Sequence, residues 1–219
     1  MIAEHIFGGI KVSGVSLSGL RTCITLPEFK ICFDLAQGYP FAVPMRHFFI
    51  THGHMDHAGG IPSLISQKNI GQALKPDFYL PEALVPPMQS IIGLWEKIEE
   101  HNYSYALHAM TPDSRVNLGE HHFVKPFRTL HRIPSLGYTL WEKKKKLRSD
   151  LAHLDRAALV GMKSRGEEIN DHQEIPLLSF TGDTQIEFLD LSPEVKKSKV
   201  LMLDVTYYDQ AKSVEHARK

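Results

Sequence analysis

His52-Gly53-His54-Met55-Asp56-His57 places three imidazoles and one carboxylate within six residues, directly after a β-prone run at 47–51. Side chains alternate along an extended segment, so His52 and His54 point the same way and can hold one metal ion. Asp56 and His57 follow a turn and can reach a second ion beside the first. Imidazole nitrogens and carboxylate oxygens at ~2.0–2.2 Å are the ligands that zinc prefers. A solvated, histidine-rich turn is the alternative, but four potential ligands directly behind an apolar strand favour a metal site.

The size and charge of the chain narrow its class. Its 219 residues predict a single domain over 1–219 with a substantial buried core. Acidic and basic residues balance at 25 each, so any contact with nucleic acid must come from a local patch. Cys23 and Cys32 give no disulfide framework and predict buried, reduced thiols. The first 19 residues lack the features of a secretory leader, and no apolar stretch approaches the ~20 residues that span a bilayer. We therefore expect a soluble, cytoplasmic protein without a membrane partner.

The order of predicted elements indicates the architecture. Runs rich in β-branched and aromatic residues predict strands, and apolar residues at helical spacing predict helices. The strands are expected at 11–17, 21–26, 30–35, 78–80, 123–130, 138–141, 176–180 and 199–204, and the helices at 61–70, 81–101 and 151–162. Alternation of strands and helices in two successive halves predicts two sheets packed face to face with helices outside.

Three residues at strand ends are further candidates for the site. His131 ends an apolar strand, where a lone histidine is ordinarily a core or surface residue. Asp183 follows a strand within a glycine turn and could bridge two metal ions, although a lone Gly-Asp-Thr is more often just a turn. Asp34 ends a buried strand. It either orients a ligand histidine from behind or simply begins the following loop.

A basic run forms a short arm predicted around 142–170. A charge run of this kind is either a solvated hairpin end or a patch that contacts RNA phosphates in a salt-dependent way. Both interpretations stay open for its members, which are Lys143, Lys144, Lys145, Lys146 and Arg148.

The motif at 52–57 resembles the His-x-His-x-Asp-His signature of the metallo-β-lactamase superfamily. Phe127-Arg128-Thr129-Leu130-His131, followed by Ser135-Leu136-Gly137-Tyr138, is similar to the third-ligand region of the ribonuclease Z family of tRNA 3′-processing endonucleases. Phe180-Thr181-Gly182-Asp183-Thr184 is similar to its bridging-aspartate motif. Cys23, Phe33-Asp34 and the tail at 213–218 resemble the short plant-type branch. The resemblance implies an α/β fold, a four-layer αββα sandwich with a dinuclear zinc site at one edge.

The resemblance also implies roles for individual residues. His52, His54 and His131 would hold one zinc, Asp56 and His57 the other, and Asp183 would bridge them. Asp56 would also handle protons during attack, and Asp204 falls where the family carries an acidic residue near its catalytic histidine. The implied activity is removal of the 3′ trailer from a tRNA precursor by a metal-activated water, in a homodimer whose basic arm holds the tRNA. Manganese or iron in place of zinc stays open.

The resemblance departs from the family pattern at its end. The family continues beyond the tail into a Gly-His motif that supplies the last ligand of the second zinc, whereas this sequence stops at Lys219. His216 belongs to the helix before that motif, so we do not count it as a ligand. Either the sandwich is truncated at its C-terminus or the second metal is under-ligated. Two alternatives follow: a metallo-hydrolase acting on a small ester, thioester or cyclic nucleotide, and a non-catalytic metal- or RNA-binding remnant.

Overall fold

Two β-sheets form the centre of the computed structural model, which describes residues 2–71 and 74–205. The first sheet contains, in spatial order, β1 (Ala3–Phe7), β2 (Ile10–Leu17), β3 (Arg21–Leu26), β4 (Ile31–Phe33), β5 (His47–Phe49), β6 (Asp77–Pro81) and β7 (Ala106–Met110). The second contains β8 (Val116–Asn117), β9 (His122–Arg128), β10 (Leu136–Leu147), β11 (Asn170–Phe180) and β12 (Val200–Met202), in the order β12-β11-β10-β9-β8.

The chain has five α-helices among its described residues. They are α1 (Met55–Ala58), α2 (Ile61–Ile70), α3 (Val85–Ile98), α4 (Arg156–Ser164) and α5 (Phe188–Leu191). Of these, α2, α3 and α5 pack against the outer faces of the sheets. Buried side chains of α2 and α3 pack with apolar residues of the first sheet, and Phe188 of α5 packs with Phe127 on the outside of the second sheet. Phe33 and Phe49 of the first sheet meet Tyr138 and Phe180 of the second in the core between them. The layers therefore run helix, sheet, sheet, helix, which confirms the predicted αββα sandwich.

Strand direction brings several loops to one edge of this sandwich. Strands β4 to β7 are parallel, so the loops after β4 and β5 leave the first sheet at the same edge. In the second sheet, the Leu136 amide donates to the Thr51 carbonyl at 3.0 Å, which places the start of β10 at that edge. The Tyr138 hydroxyl donates to the Ile50 carbonyl at 2.9 Å and ties the two sheets together just behind it. The predicted ligands lie in these loops.

Several predicted elements differ from the structure in their bounds. The strand expected at 176–180 begins earlier, at Asn170, and the helix expected at 81–101 is the shorter α3. The helix expected at 151–162 is wrong at its start, because α4 begins only after Asp155, whose side chain accepts a hydrogen bond from the Ala158 amide at 2.8 Å as a helix N-cap. The strand expected at 138–141 is too short, since β10 continues along β11 as far as the Leu147–Asn170 pair. The basic run is therefore part of a strand. Among the described residues, no helix has the length and apolar character needed to cross a bilayer.

Candidate metal centre

The 52–57 motif leaves β5 in extended backbone and then turns into α1. His54 is the N-cap of α1, with φ −67° and ψ 149°, and the single turn that follows carries Asp56 and His57. His52 and His54 face the same space, as their spacing predicts, and His52 Nε2 lies 3.0 Å from His54 Nδ1. Two ring nitrogens this close can both direct a lone pair at one cation.

Two residues distant in sequence complete this group. His131, between β9 and β10, places its Nε2 3.2 Å from His54 Nδ1. Asp183, after β11, places its Oδ2 3.9 Å from His52 Nε2. One ligand atom from each of His52, His54, His131 and Asp183 lies within 4.8 Å of the others. Three imidazoles and a carboxylate around one point are a donor set that suits zinc, so these residues fit the metal that the motif implies.

The Asp183 carboxylate also faces the rest of the motif. Its Oδ1 lies 3.1 Å from His57 Nε2, while its Oδ2 faces His52, and Asp56 Oδ2 lies 3.5 Å from the same His57 nitrogen. Two oxygens directed at two different groups of ligands suit a bridging carboxylate. The turn depends on Gly182, which has φ +58° and whose absent Cβ would lie 2.5 Å from Thr51 Oγ1.

Asp34 supports the centre from behind. It is fully buried in a left-handed conformation, with φ 54°, and accepts hydrogen bonds from the Thr51 amide at 2.7 Å and from His57 Nδ1 at 2.7 Å. The Thr51 hydroxyl donates to Asp34 at 2.9 Å and lies 3.0 Å from His52 Nδ1, from which it can accept. One carboxylate thereby turns the Nε2 atoms of both His52 and His57 towards the site. The geometry favours the orienting role over a plain loop start.

The electrostatics separate the histidines into two kinds. Burial and the charge of His57 lower the pKa of His52 to about 3, which keeps this imidazole neutral and able to bind a metal. Burial also lowers the pKa of His57, but the carboxylates of Asp34 and Asp183 more than compensate and raise it to about 10. A metal ion that binds His57 must therefore displace a proton from it. Burial would raise the pKa of Asp183, yet the neighbouring imidazolium of His57 holds it below its usual value.

Other predicted residues lie at the margin of the centre or far from it. Asp204 lines a cavity of about 250 Å³ together with His57 and Asp183, and its backbone amide donates to Thr181 Oγ1 at 3.3 Å. The tail at 213–218, with His216, lies outside the described residues. Thr51 was not expected from the sequence, and a polar residue between the apolar strand and the first ligand is the signal that could have revealed it.

The basic run lies at the other end of the second sheet. Lys143 lies seven positions along β10 from Leu136, at the site edge, which is a span of ~24 Å. Lys143, Lys144, Lys145 and Lys146 pair with β11, and Arg148 follows the strand and forms an exposed ion pair with Asp150 at 2.7 Å. The run therefore projects from the body on a two-stranded ribbon, away from the metal centre of its own chain.

Comparison with known proteins identifies the family. Residues 34–218 match the family model described as anti-Pycsar protein Apyc1, and this match places the chain in that family. The chain is also 30% identical over 212 residues to tRNase Z TRZ1 of Arabidopsis thaliana, covering 96% of this chain and 76% of that protein. The chain belongs to the ribonuclease Z family. This confirms the resemblance and, with it, the metallo-β-lactamase fold.

Ribonuclease Z relatives differ from this chain in length. Chloroplastic tRNase Z TRZ2 of Arabidopsis thaliana is 30% identical over 94% of this chain, which spans only 59% of that relative. The crystal structure of the short form of human tRNase Z is 17% identical, with a TM-score of 0.47, and the match covers 90% of this chain and 86% of the human one.

Proposed function

We propose that this protein is a metal-dependent endoribonuclease of the ribonuclease Z type, which removes the 3′ trailer from tRNA precursors. The observation that carries the proposal is the convergence of His52, His54, His131 and Asp183 within 4.8 Å. Membership of the ribonuclease Z family supports it, because relatives across most of the chain are named tRNase Z.

The residues take the following roles in this proposal. His52, His54 and His131 would hold one cation, His57 and Asp56 would hold a second, and Asp183 would serve both. Bound divalent cations would polarise a water molecule and neutralise charge on the attacked phosphodiester.

The chain's own groups prepare the site for this chemistry. Asp34 and Thr51 fix the His52 and His57 rings. The Nε2 atoms of both histidines therefore face the site before any substrate binds. Asp56 would accept the proton released by the attacking water, and Asp204 lines the adjoining cavity together with His57 and Asp183.

Several finer points belong to the same proposal. Zinc is the metal best suited to the nitrogen-rich donor set, with manganese and iron as competitors. Cytoplasmic location agrees with the two buried free thiols, Cys23 and Cys32. A single domain over 1–219 is the proposed organisation, in which the arm around 142–170 would contact the tRNA body through Lys143 to Lys146 and Arg148.

A homodimer is the proposed assembly. It is supported by exposed apolar side chains on α3, where Leu94 and Ile98 are 58% and 67% exposed, because patches of this kind are typical of contacts between proteins. Light scattering of the purified chain measures the assembly directly.

The test is cleavage of a precursor tRNA that carries a labelled 3′ trailer. Zinc-loaded protein should release the trailer as a single product, and Asp183→Asn should abolish the cleavage. Turnover of bis(p-nitrophenyl) phosphate or a thioester without cleavage of the precursor would instead favour a small-molecule hydrolase. Fewer than two zinc ions per chain and no nuclease activity would favour a binding remnant.

The arm is tested separately. Replacing Lys143 to Lys146 with glutamine should weaken tRNA binding and reduce its salt dependence, by ~0.7–0.9 in the log–log slope for each phosphate that the lysines no longer neutralise. Binding of bis(p-nitrophenyl) phosphate should not change, since the run lies ~24 Å from the metal centre along β10. Unchanged tRNA affinity across a salt titration would remove the arm from the proposal.

A further inference from the structure

Arg132 lies beside the metal centre without a carboxylate partner. It follows His131 and is exposed, and its Nη2 atom lies 3.3 Å from His54 Nε2. Across residues 2–71 and 74–205, no carboxylate forms an ion pair with this guanidinium. Within these residues, the one hydrogen-bond contact of the guanidinium is with His54, a proposed metal ligand. The position of Arg132 is therefore linked to the metal centre.

The contact with His54 cannot survive metal binding in its present form. His54 turns Nδ1 towards the cluster, at 3.0 Å from His52 Nε2 and 3.2 Å from His131 Nε2. A neutral imidazole that uses the Nδ1 lone pair for a metal carries its proton on Nε2. Arginine has five N–H donors and no acceptor, so the Arg132 N–H and the His54 Nε2–H would then face each other without an acceptor between them.

The charges around the site determine what Arg132 meets instead. The carboxylates of Asp34, Asp56 and Asp183 contact the site histidines and Thr51 and not Arg132. Divalent cations bound beside the exposed guanidinium would repel it. An anion brought by the substrate would neutralise part of the positive charge of both. Guanidinium binds phosphate with paired, charge-assisted hydrogen bonds.

We propose that Arg132 is a phosphate-binding residue whose guanidinium is released from His54 by metal binding and then contacts the phosphodiester of the substrate. This inference rests on the proposed function and adds a binding residue beside the metal ligands. Metal and phosphate binding are then linked through His54, so each strengthens the other by the same factor.

The first test measures binding of dimethyl phosphate, a diester with no base, to zinc-loaded protein by calorimetry. Arg132→Gln should weaken this binding roughly 10-fold or more, the effect of losing a hydrogen bond to a charged group, while the zinc content stays at the wild-type value. Arg132→Lys keeps the charge but not the paired hydrogen bonds, so its affinity for dimethyl phosphate should lie between those of the wild type and Arg132→Gln. Arg128→Gln, which removes another exposed arginine near the same edge, should change the affinity less than twofold.

The second test follows the two side chains without any reaction. In ¹⁵N spectra, zinc should shift the Arg132 guanidinium signals and place the His54 proton on Nε2, and dimethyl phosphate should then shift the arginine again. Equal phosphate affinity in wild type and Arg132→Gln would overturn the proposal, as would arginine signals that ignore zinc or a loss of zinc in the variant. These outcomes do not depend on RNA cleavage, so failure of the tRNA assay alone would refute only the proposed function.

Discussion

Replacing Asp34 with asparagine isolates the support of the metal centre from the ligands themselves. The side chain is fully buried and receives three donors: the Thr51 amide, the Thr51 hydroxyl and His57 Nδ1. Asparagine keeps one oxygen but puts an NH₂ group in place of the other, so at least one donor meets a donor. A lost hydrogen bond to a charged group costs about 1.5–3 kcal/mol. Because about 1.4 kcal/mol corresponds to a tenfold change in Kd, the zinc affinity of the variant should fall about 10- to 100-fold.

The assay is competition for zinc against a chelator of known affinity, with circular dichroism to verify the fold. Asp77→Asn is the matched control. Asp77 also accepts from a histidine, His108 Nε2 at 2.9 Å, but it lies at the start of β6, at the far end of the first sheet from the centre. Its zinc affinity should equal that of the wild type. A folded Asp34→Asn protein with wild-type zinc affinity would refute the orienting role.

Three further predictions concern metal, packing and pH. Zinc held at 100 times its Kd should raise the free energy of unfolding by about 2.7 kcal/mol, and chelation should reverse this gain. The His54→Ala variant should lose most of the gain. Equal gains for the variant and the wild type in thermal melts would exclude His54 as a ligand. Tyr138→Phe should cost about 0.5–1.5 kcal/mol in urea denaturation, because it removes the hydrogen bond to Ile50 that joins the sheets, and an unchanged midpoint would contradict this. In zinc-depleted protein the pKa of His57 is raised from 6.5 to about 10, so the contribution of His57 to stability is complete below pH 6.5 and is lost as the pH rises through 10. NMR should show His57 protonated at pH 8 and should show a lower His57 pKa in Asp34→Asn. Titration of His57 near pH 6.5 in the wild type would argue against its pairing with Asp34.

Local sequence predicted the part of the site that is local in the chain. His52, His54, Asp56 and His57 lie within six residues, so strand geometry and one turn are enough to bring them together. The same holds for α2, whose bounds Ile61–Ile70 agree with the predicted helix, since its apolar spacing lies entirely within the segment. Short-range periodicity carries this information because it depends on the backbone alone.

Longer elements depended on partners that the local pattern does not show. Lys143 to Lys146 lack the apolar alternation of a half-buried strand, and their strand conformation comes from pairing with β11. The start of α4 depended on the capping side chain of Asp155, a single hydrogen bond that outweighs the apolar pattern before it. Tertiary pairing and capping override propensity at such places.

The sequence by itself determined that this chain carries a cluster of metal ligands behind a buried strand, and that strands and helices alternate as in a two-sheet sandwich. Only the tertiary structure decided that His131 and Asp183 reach His54 and His52, because β9 and β11 both end beside the start of β10, at the edge where β5 also ends. It alone placed Thr51 between Asp34 and His52, and Arg132 against His54. Hydrogen bonds between residues far apart in the chain depend on distance and direction in space, and these arise only when the sheets pack.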